Sequence, residues 1–251
     1  WTPAIIDDRL HLTLGLRYTS DNKNGRLTKQ RGTNAPAYMK FNFNSKRVDP
    51  AVTIAFDIND EVNSYLRWST GYRSGGANSR SATFRTFDEE TVSSWEMGLK
   101  SELLDRRMRL NLAAYYSQLK DMQVDFPLPS NHSVTETTNG SKDAKIKGLE
   151  VDLTVLPGAG FAINSNYSYT ITNFQPQINP FADGLFEVVR AAQTPKHAIS
   201  VALDYKRSLS SFGTFLGHLD VNWSSGFYSA ATDTTLSKKV ILVNGRLSLT
   251  D

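Results

Sequence analysis

Leu10-His11-Leu12-Thr13-Leu14-Gly15-Leu16-Arg17-Tyr18 decides the fold class. Leu10, Leu12, Leu14, Leu16 and Tyr18 share one parity, and His11, Thr13, Gly15 and Arg17 share the other. A strand sends alternate side chains to opposite faces, so this run has one greasy and one wet side. The pattern recurs down the chain. Met108, Leu110, Leu112, Ala114 and Tyr116 oppose Arg109, Asn111, Ala113 and Tyr115; Leu149, Val151, Leu153 and Val155 oppose Gly148, Glu150, Asp152 and Thr154. Ile199, Val201, Leu203 and Tyr205 form another such face, as do Leu219, Val221 and Trp223. Helical stripes of period 3.6 are scarce.

About ten strands are predicted, over 10–18, 50–58, 62–73, 92–104, 107–119, 143–156, 161–172, 196–206, 214–224 and 239–250. Most exceed the ~5–6 residues of a typical globular strand. About 11 residues at ~3.3 Å, tilted near 45°, span roughly 25 Å, the height of an outer-membrane apolar band. Tight turns at 59–61, 105–106, 157–160 and 207–212 alternate with long polar loops at 19–49, 74–91, 120–142, 173–195 and 225–238. An antiparallel meander with short turns on one rim and long loops on the other gives that order. Trp68, Trp95, Tyr115, Tyr116, Tyr167, Trp223 and other aromatics, Tyr72 among them, gather toward the long-loop ends, where a membrane–water belt is expected.

Composition agrees. The 251 residues carry 28 Lys and Arg against 25 Asp and Glu, with 11% aromatics and a mean hydropathy of -0.38. No apolar run approaches the ~18 residues of a membrane-spanning helix, but a barrel strand needs only every second residue apolar. With no Cys, thiol catalysis, disulfides and Cys-ligated metal sites are excluded. Trp1-Thr2-Pro3 carries no basic-then-apolar leader.

The search for catalytic chemistry returns little. His11, His132, His197 and His218 lack metal-ligand spacing. Ser117-Gln118-Leu119-Lys120 fits an S-x-x-K pattern but closes a strand, where the penicillin-recognising motif opens a helix. Asp57, Asn59 and Glu61 resemble the start of a calcium loop, with Val62 where Gly is required. Gly71-Tyr72-Arg73-Ser74-Gly75-Gly76 lacks the Lys-Ser/Thr of a P-loop. No enzyme activity, cofactor, metal site or nucleic-acid partner is expected. Basic residues in the loops can focus an anionic ligand.

Tyr65-Leu66-Arg67-Trp68-Ser69-Thr70-Gly71-Tyr72-Arg73-Ser74-Gly75-Gly76-Ala77-Asn78 resembles a segment of the TonB-dependent outer-membrane receptors. Glu90 to Lys100, with Trp95-Glu96-Met97-Gly98-Leu99-Lys100, is similar to that family's E-x-x-x-x-[YW]-E-x-G-x-K run. Asp105 to Tyr116 with Asp121-Met122-Gln123, and Ile146-Lys147-Gly148-Leu149-Glu150, resemble the elements that follow, and Gly15-Leu16-Arg17-Tyr18 an earlier strand. The ordered series covers essentially all of residues 1–251.

The resemblance implies an all-β antiparallel meander of about ten transmembrane strands, part of a larger outer-membrane barrel of about twenty-two. A plug domain, early strands and final hairpins would lie outside this segment. It also implies energised uptake of a scarce nutrient, foremost a ferric siderophore or other iron complex, with membrane lipid and, through the plug, TonB as partners. A passive porin, a small independent barrel, a barrel-borne enzyme and a soluble adhesive β protein are the alternatives. Of the loop residues, Tyr72, Arg73, Asn78, Arg80, Phe84 and Arg85 are the expected ligand contacts, since they combine aromatic faces with cationic donors.

Overall fold

The computed structural model describes residues 4–5, 9–29, 36–78, 86–129 and 131–250. Ten long strands form one antiparallel sheet in chain order: β1 (Leu10–Lys29), β2 (Pro36–Asn59), β3 (Val62–Arg73), β4 (Glu90–Leu103) and β5 (Met108–Lys120) come first. A separate hairpin, β6 (Gln123–Leu128) and β7 (Asn131–Asn139), interrupts the series. The sheet resumes with β8 (Ala144–Gly158), β9 (Phe161–Phe174), β10 (His197–Ser208), β11 (Thr214–Ser224) and β12 (Val240–Thr250). The short strand Ala4–Ile5 pairs with β1 on one edge, and β12 forms the other. β1 and β12 are not neighbours, so among the described residues the sheet is open, as expected of a piece of a larger barrel.

The first hairpin departs from the sequence reading. Residues 19–49 were expected as a loop between strands 10–18 and 50–58; instead β1 and β2 run on for 20 and 24 residues and pair continuously from Leu10↔Phe56 to Leu27↔Met39. Apolar alternation is needed only where one face meets lipid. Above that level a ladder holds with polar residues on both sides, given packing behind it. Phe41 and Phe43 supply that packing: the Phe41 ring covers Gly25, and Phe43 abuts Gly75.

Register sorts the wall into two faces. Ile54↔Leu66↔Met97↔Ala114↔Leu149 is one cross-strand row, and Leu110↔Leu153 and Val201↔Val221↔Val243 lie on the same side. These side chains are open to the surroundings: Leu16 and Leu247 are 75% exposed, Met97 61% and Val243 62%. An apolar face of that extent suits hydrocarbon, as the sequence implies. Trp68, Trp95 and Tyr116 stand side by side on it near the upper rim, with 6.3 Å between the two Trp centroids.

The opposite face is a hydrogen-bonded polar surface. Tyr65 donates to Glu96 at 2.7 Å, Asn63 to Asp57 at 2.7 Å, and His218 meets Asp204 at 2.7 Å. Two aromatic rings lie here over cross-strand glycines, and one of them, Tyr115, was expected in the belt. Tyr65 covers Gly98, and Tyr115 covers Gly148 and reaches Thr170 at 3.1 Å. A Cβ at either glycine would sit within about 2.5 Å of the ring, which explains glycine in the Trp95–Lys100 and Ile146–Glu150 motifs. At the lower rim the turns are tight. Leu104, Asp105 and Arg106 have φ of 56°, 53° and 64°, and Gly160 (φ 87°) lies against the Lys206 carbonyl, which a Cβ would strike.

The buried apolar core lies above the wall. Met122, Val124, Phe126, Ala144 and Val189 are buried together, with Leu119, Phe174, Phe181 and Ala231 packed around them. The loops after β5, β9 and β11 therefore fold into a cap.

Candidate functional site

The upper rim carries the long connections, and its polar side chains are organised in three places. In the first, β1 and β2 turn their odd-numbered residues toward the loop after β3. Tyr72 donates to Asp21 at 2.7 Å, and Lys23 donates to the Gly75 carbonyl at 2.8 Å. Arg47 bridges Asp49 (2.8 Å) and Glu89 (3.0 Å), and Ser45 donates to Glu89 at 2.5 Å. The Tyr72 hydroxyl, helped by Ser74, holds the Asp21 carboxyl below the usual carboxylate range; the hydrogen bond to Asp49 pushes the Arg47 guanidinium up. Arg47 also lies 5.5 Å from the Tyr72 ring centroid.

The second place joins the loop after β3 to the hairpin β6–β7. Arg73 reaches Glu90 at 2.9 Å and the Gln123 carbonyl at 3.3 Å, while Glu90 accepts the Gln123 amide at 2.7 Å. The Asn78 side chain pairs with both backbone groups of Thr137 at 2.7 Å, an amide acting as one rung of a strand. Asn139 ties the same hairpin to Asp88 and Asp121.

The third is a recess of about 620 Å³ between the upper end of β9 and the loops before β10 and β12. Arg190, Lys196, His197, Phe227 and Tyr228 line it. Arg190 stacks 4.6 Å from the Tyr228 centroid and donates to the Asp233 carbonyl at 2.8 Å; Lys196 lies 5.6 Å from the Tyr169 ring. Cations over aromatic rings, set in a partly apolar hollow, suit an anionic ligand with flat groups. Among the described residues no group of three or more His, Asp or Glu is placed to hold a metal ion.

Of the residues expected to touch ligand, Tyr72 and Arg73 leave β3 toward different neighbours, and Asn78 is 8% exposed with its amide engaged. Arg73 keeps 58% of its side chain open. Arg80, Phe84 and Arg85 lie outside the described residues. The sequence reading missed the Arg190–Tyr228 recess and the cap core. Val124, Phe126 and Leu128 do alternate with Gln123, Asp125 and Pro127, the same signal that marked the wall strands, in a run half their length.

The family model described as TonB dependent receptor-like, beta-barrel matches residues 1–249, and the chain belongs to that family. It is 25% identical over 211 residues to the ferric-pyoverdine M114 receptor PbuA of Pseudomonas sp. strain M114, covering 81% of this chain and 24% of that one. Against the ferripyoverdine receptor of Pseudomonas aeruginosa the identity is 24% over 170 residues, 66% of this chain and 19% of the relative. The chain thus spans about a quarter of the length of the curated relatives it matches. In fold it is similar to the ferric yersiniabactin uptake receptor FyuA of Yersinia pestis, with TM-score 0.78, 18% identity, 97% of this chain and 36% of that one. It is likewise similar to the siderophore receptor PiuA of Acinetobacter baumannii, with TM-score 0.72, 18% identity and coverages of 94% and 34%.

Proposed function

We propose that this chain is the wall and outer mouth of an outer-membrane receptor for energised, TonB-linked uptake of a ferric siderophore or a similar iron complex. The observation that carries the reading is the folded cap, whose loops pack on a shared core and hold Arg190, Lys196 and Tyr228 around an open recess. A non-selective diffusion channel needs no such recess at its mouth. Membership of the receptor family and the printed names of the curated relatives support an iron chelate as the cargo.

In this reading the chelate is attracted by the basic rim, stacks on aromatic faces and is held by guanidinium and ammonium groups. Tyr72, Arg73, Asn78, Arg80, Phe84 and Arg85 supply one side of the mouth; Arg73 is the described member with most of its side chain free to turn toward ligand. The polar inner face meets the plug, which TonB moves. The chain's own residues bind and guide, with no bond made or broken in the cargo.

Uptake of radioiron as ferric pyoverdine or ferric yersiniabactin by cells carrying the whole receptor tests this. Uptake should stop when TonB is deleted or the proton gradient is collapsed. Uptake that persists without TonB would make the protein a channel. Replacing Arg73, Arg80 and Arg85 together with Ala should weaken binding of the chelate; unchanged affinity would remove that loop from the site.

A further inference from the structure

The outward face of the β1–β2 extension is chemically unlike the rest of the rim. Between Asn22 and Val48 the sequence has seven Lys and Arg and no Asp or Glu. Lys23 and Arg47 are spent on the inner side of the hairpin, at Gly75, Asp49 and Glu89. Arg26, Lys40 and Lys46 have the other parity and are exposed, with no ion pair among the described residues. Arg26 stands directly opposite Lys40 in the register. Like charges placed face to face across a strand pair destabilise it.

Between these cations lies a square of amides. Asn22 pairs with Asn44 and Asn24 with Asn42; along each strand Asn24 donates to Asn22 at 2.9 Å and Asn44 donates to Asn42 at 3.0 Å. Asparagine is disfavoured in strands, so four of them in mid-hairpin do nothing for the ladder. Each amide retains donor and acceptor capacity facing outward. Asn24, Arg26, Lys40 and Asn42 border a shallow recess of about 440 Å³.

Position selects the partner. No bulge interrupts the pairing from Leu10 to Leu27, so the even-numbered face that shows Leu14, Leu16 and Tyr18 to lipid is the same face that shows Asn22, Asn24 and Arg26. Tyr18↔Val48 is its last apolar pair, and Ser20↔Lys46 begins the polar surface one step higher. This surface therefore looks sideways from the receptor, away from the mouth, at the level just above the hydrocarbon. There a membrane offers its headgroups, and the amides suit sugar hydroxyls while the cations suit phosphate.

We infer that the outward face of this hairpin, through Asn22, Asn24, Asn42, Asn44, Arg26, Lys40 and Lys46, binds the phosphorylated saccharide of the lipopolysaccharide in the surrounding outer leaflet. The inference rests on the outer-membrane placement proposed above and is independent of the cargo.

The test uses the whole receptor purified from outer membranes, as wild type, as R26E/K40E/K46E and as R26Q/K40Q/K46Q, each checked for folding by heat-modifiable migration. Lipopolysaccharide retained per receptor is measured by mass spectrometry, then again after transfer to phosphatidylcholine vesicles containing intact or phosphatase-treated lipopolysaccharide. Charge reversal should lower retention roughly tenfold or more, and the Gln variant by less. N22A/N24A/N42A/N44A should lower retention of the phosphatase-treated form as well. Equal retention by wild type and the folded Gln variant would overturn the inference, as would a loss confined to binding of a protein. No iron complex is present in these measurements, so failure of the uptake reading would leave the result intact and show separately in the radioiron assay.

Discussion

The wall and the cap solve opposite problems with the same strand grammar. In the wall, Val151, Leu153, Val201 and Val243 point away from the protein, and the polar residues face one another across the inner surface. In the cap, Val124, Phe126 and Val189 turn toward each other, as in an ordinary water-soluble domain. The wall is thus stabilised by a solvent outside the chain, whereas the cap carries its own apolar interior. Stability of the two should respond to different perturbations, and several measurements on the whole receptor can separate them.

The largest effect belongs to the cap core. Phe126 is 0% exposed, and Phe126→Ala should cost about 3–5 kcal/mol of local stability. Hydrogen exchange should rise across β6 and β7 while β8 and β9 stay protected. Loss of protection throughout the wall would show that the two regions are one cooperative unit. Next comes the lipid face: Val151→Arg should cost roughly 2–4 kcal/mol near the bilayer midplane, read by urea unfolding in vesicles. Glu150→Leu, one residue away on the polar face, should cost less. The reverse ranking would invert the facing of the wall.

Gln177 is fully buried and holds Lys142 through both its backbone amide (2.9 Å) and its carbonyl (3.1 Å). Gln177→Ala strands both groups and should cost about 1–3 kcal/mol, seen as faster proteolysis between β7 and β8. The smallest effect is a pH dependence at the hairpin. Asp21 is held below its ordinary value of 3.8 by the Tyr72 hydroxyl, so its contribution is present above that value and fades as the pH falls through the lower folded value. Tyr72→Phe should remove this acid-side loosening of residues 19–47, measured by limited proteolysis from neutral to acid pH. Identical acid profiles for the two proteins would take the Asp21–Tyr72 bond out of the hairpin's attachment.

What the sequence showed follows from which solvent each segment meets. Leu10–Tyr18 and Met108–Tyr116 were legible because lipid on one side forces strict alternation. Thr19 to Asp49 hid its strands because its outer side shows polar residues such as Asn22, Asn24, Asn42 and Asn44 in place of an apolar row, and the alternation of Met39, Phe41 and Phe43 at the other parity is too short to mark a wall strand. The turns were legible from Asn59-Asp60-Glu61 and Pro157-Gly158-Ala159-Gly160. The recess was not, because Arg190, Lys196 and Tyr228 come from connections far apart in the chain, and their meeting depends on the packing of Val189, Phe174 and Ala231 beneath them. Asn78 was legible as a polar loop residue, but its pairing with Thr137 depends on a hairpin some sixty positions away.

The cap core has an evolutionary corollary. Its side chains come from three connections: Met122, Val124 and Phe126 from one, Phe181 and Val189 from a second, Ala231 from a third. Exchanging a single connection with that of another receptor would leave a hole or a clash in a shared interior. Recombination can therefore exchange these connections between related receptors cheaply only by moving the three segments together, whereas residues on the recess surface can change one at a time. A lineage exchanging these connections one at a time would cross unstable intermediates.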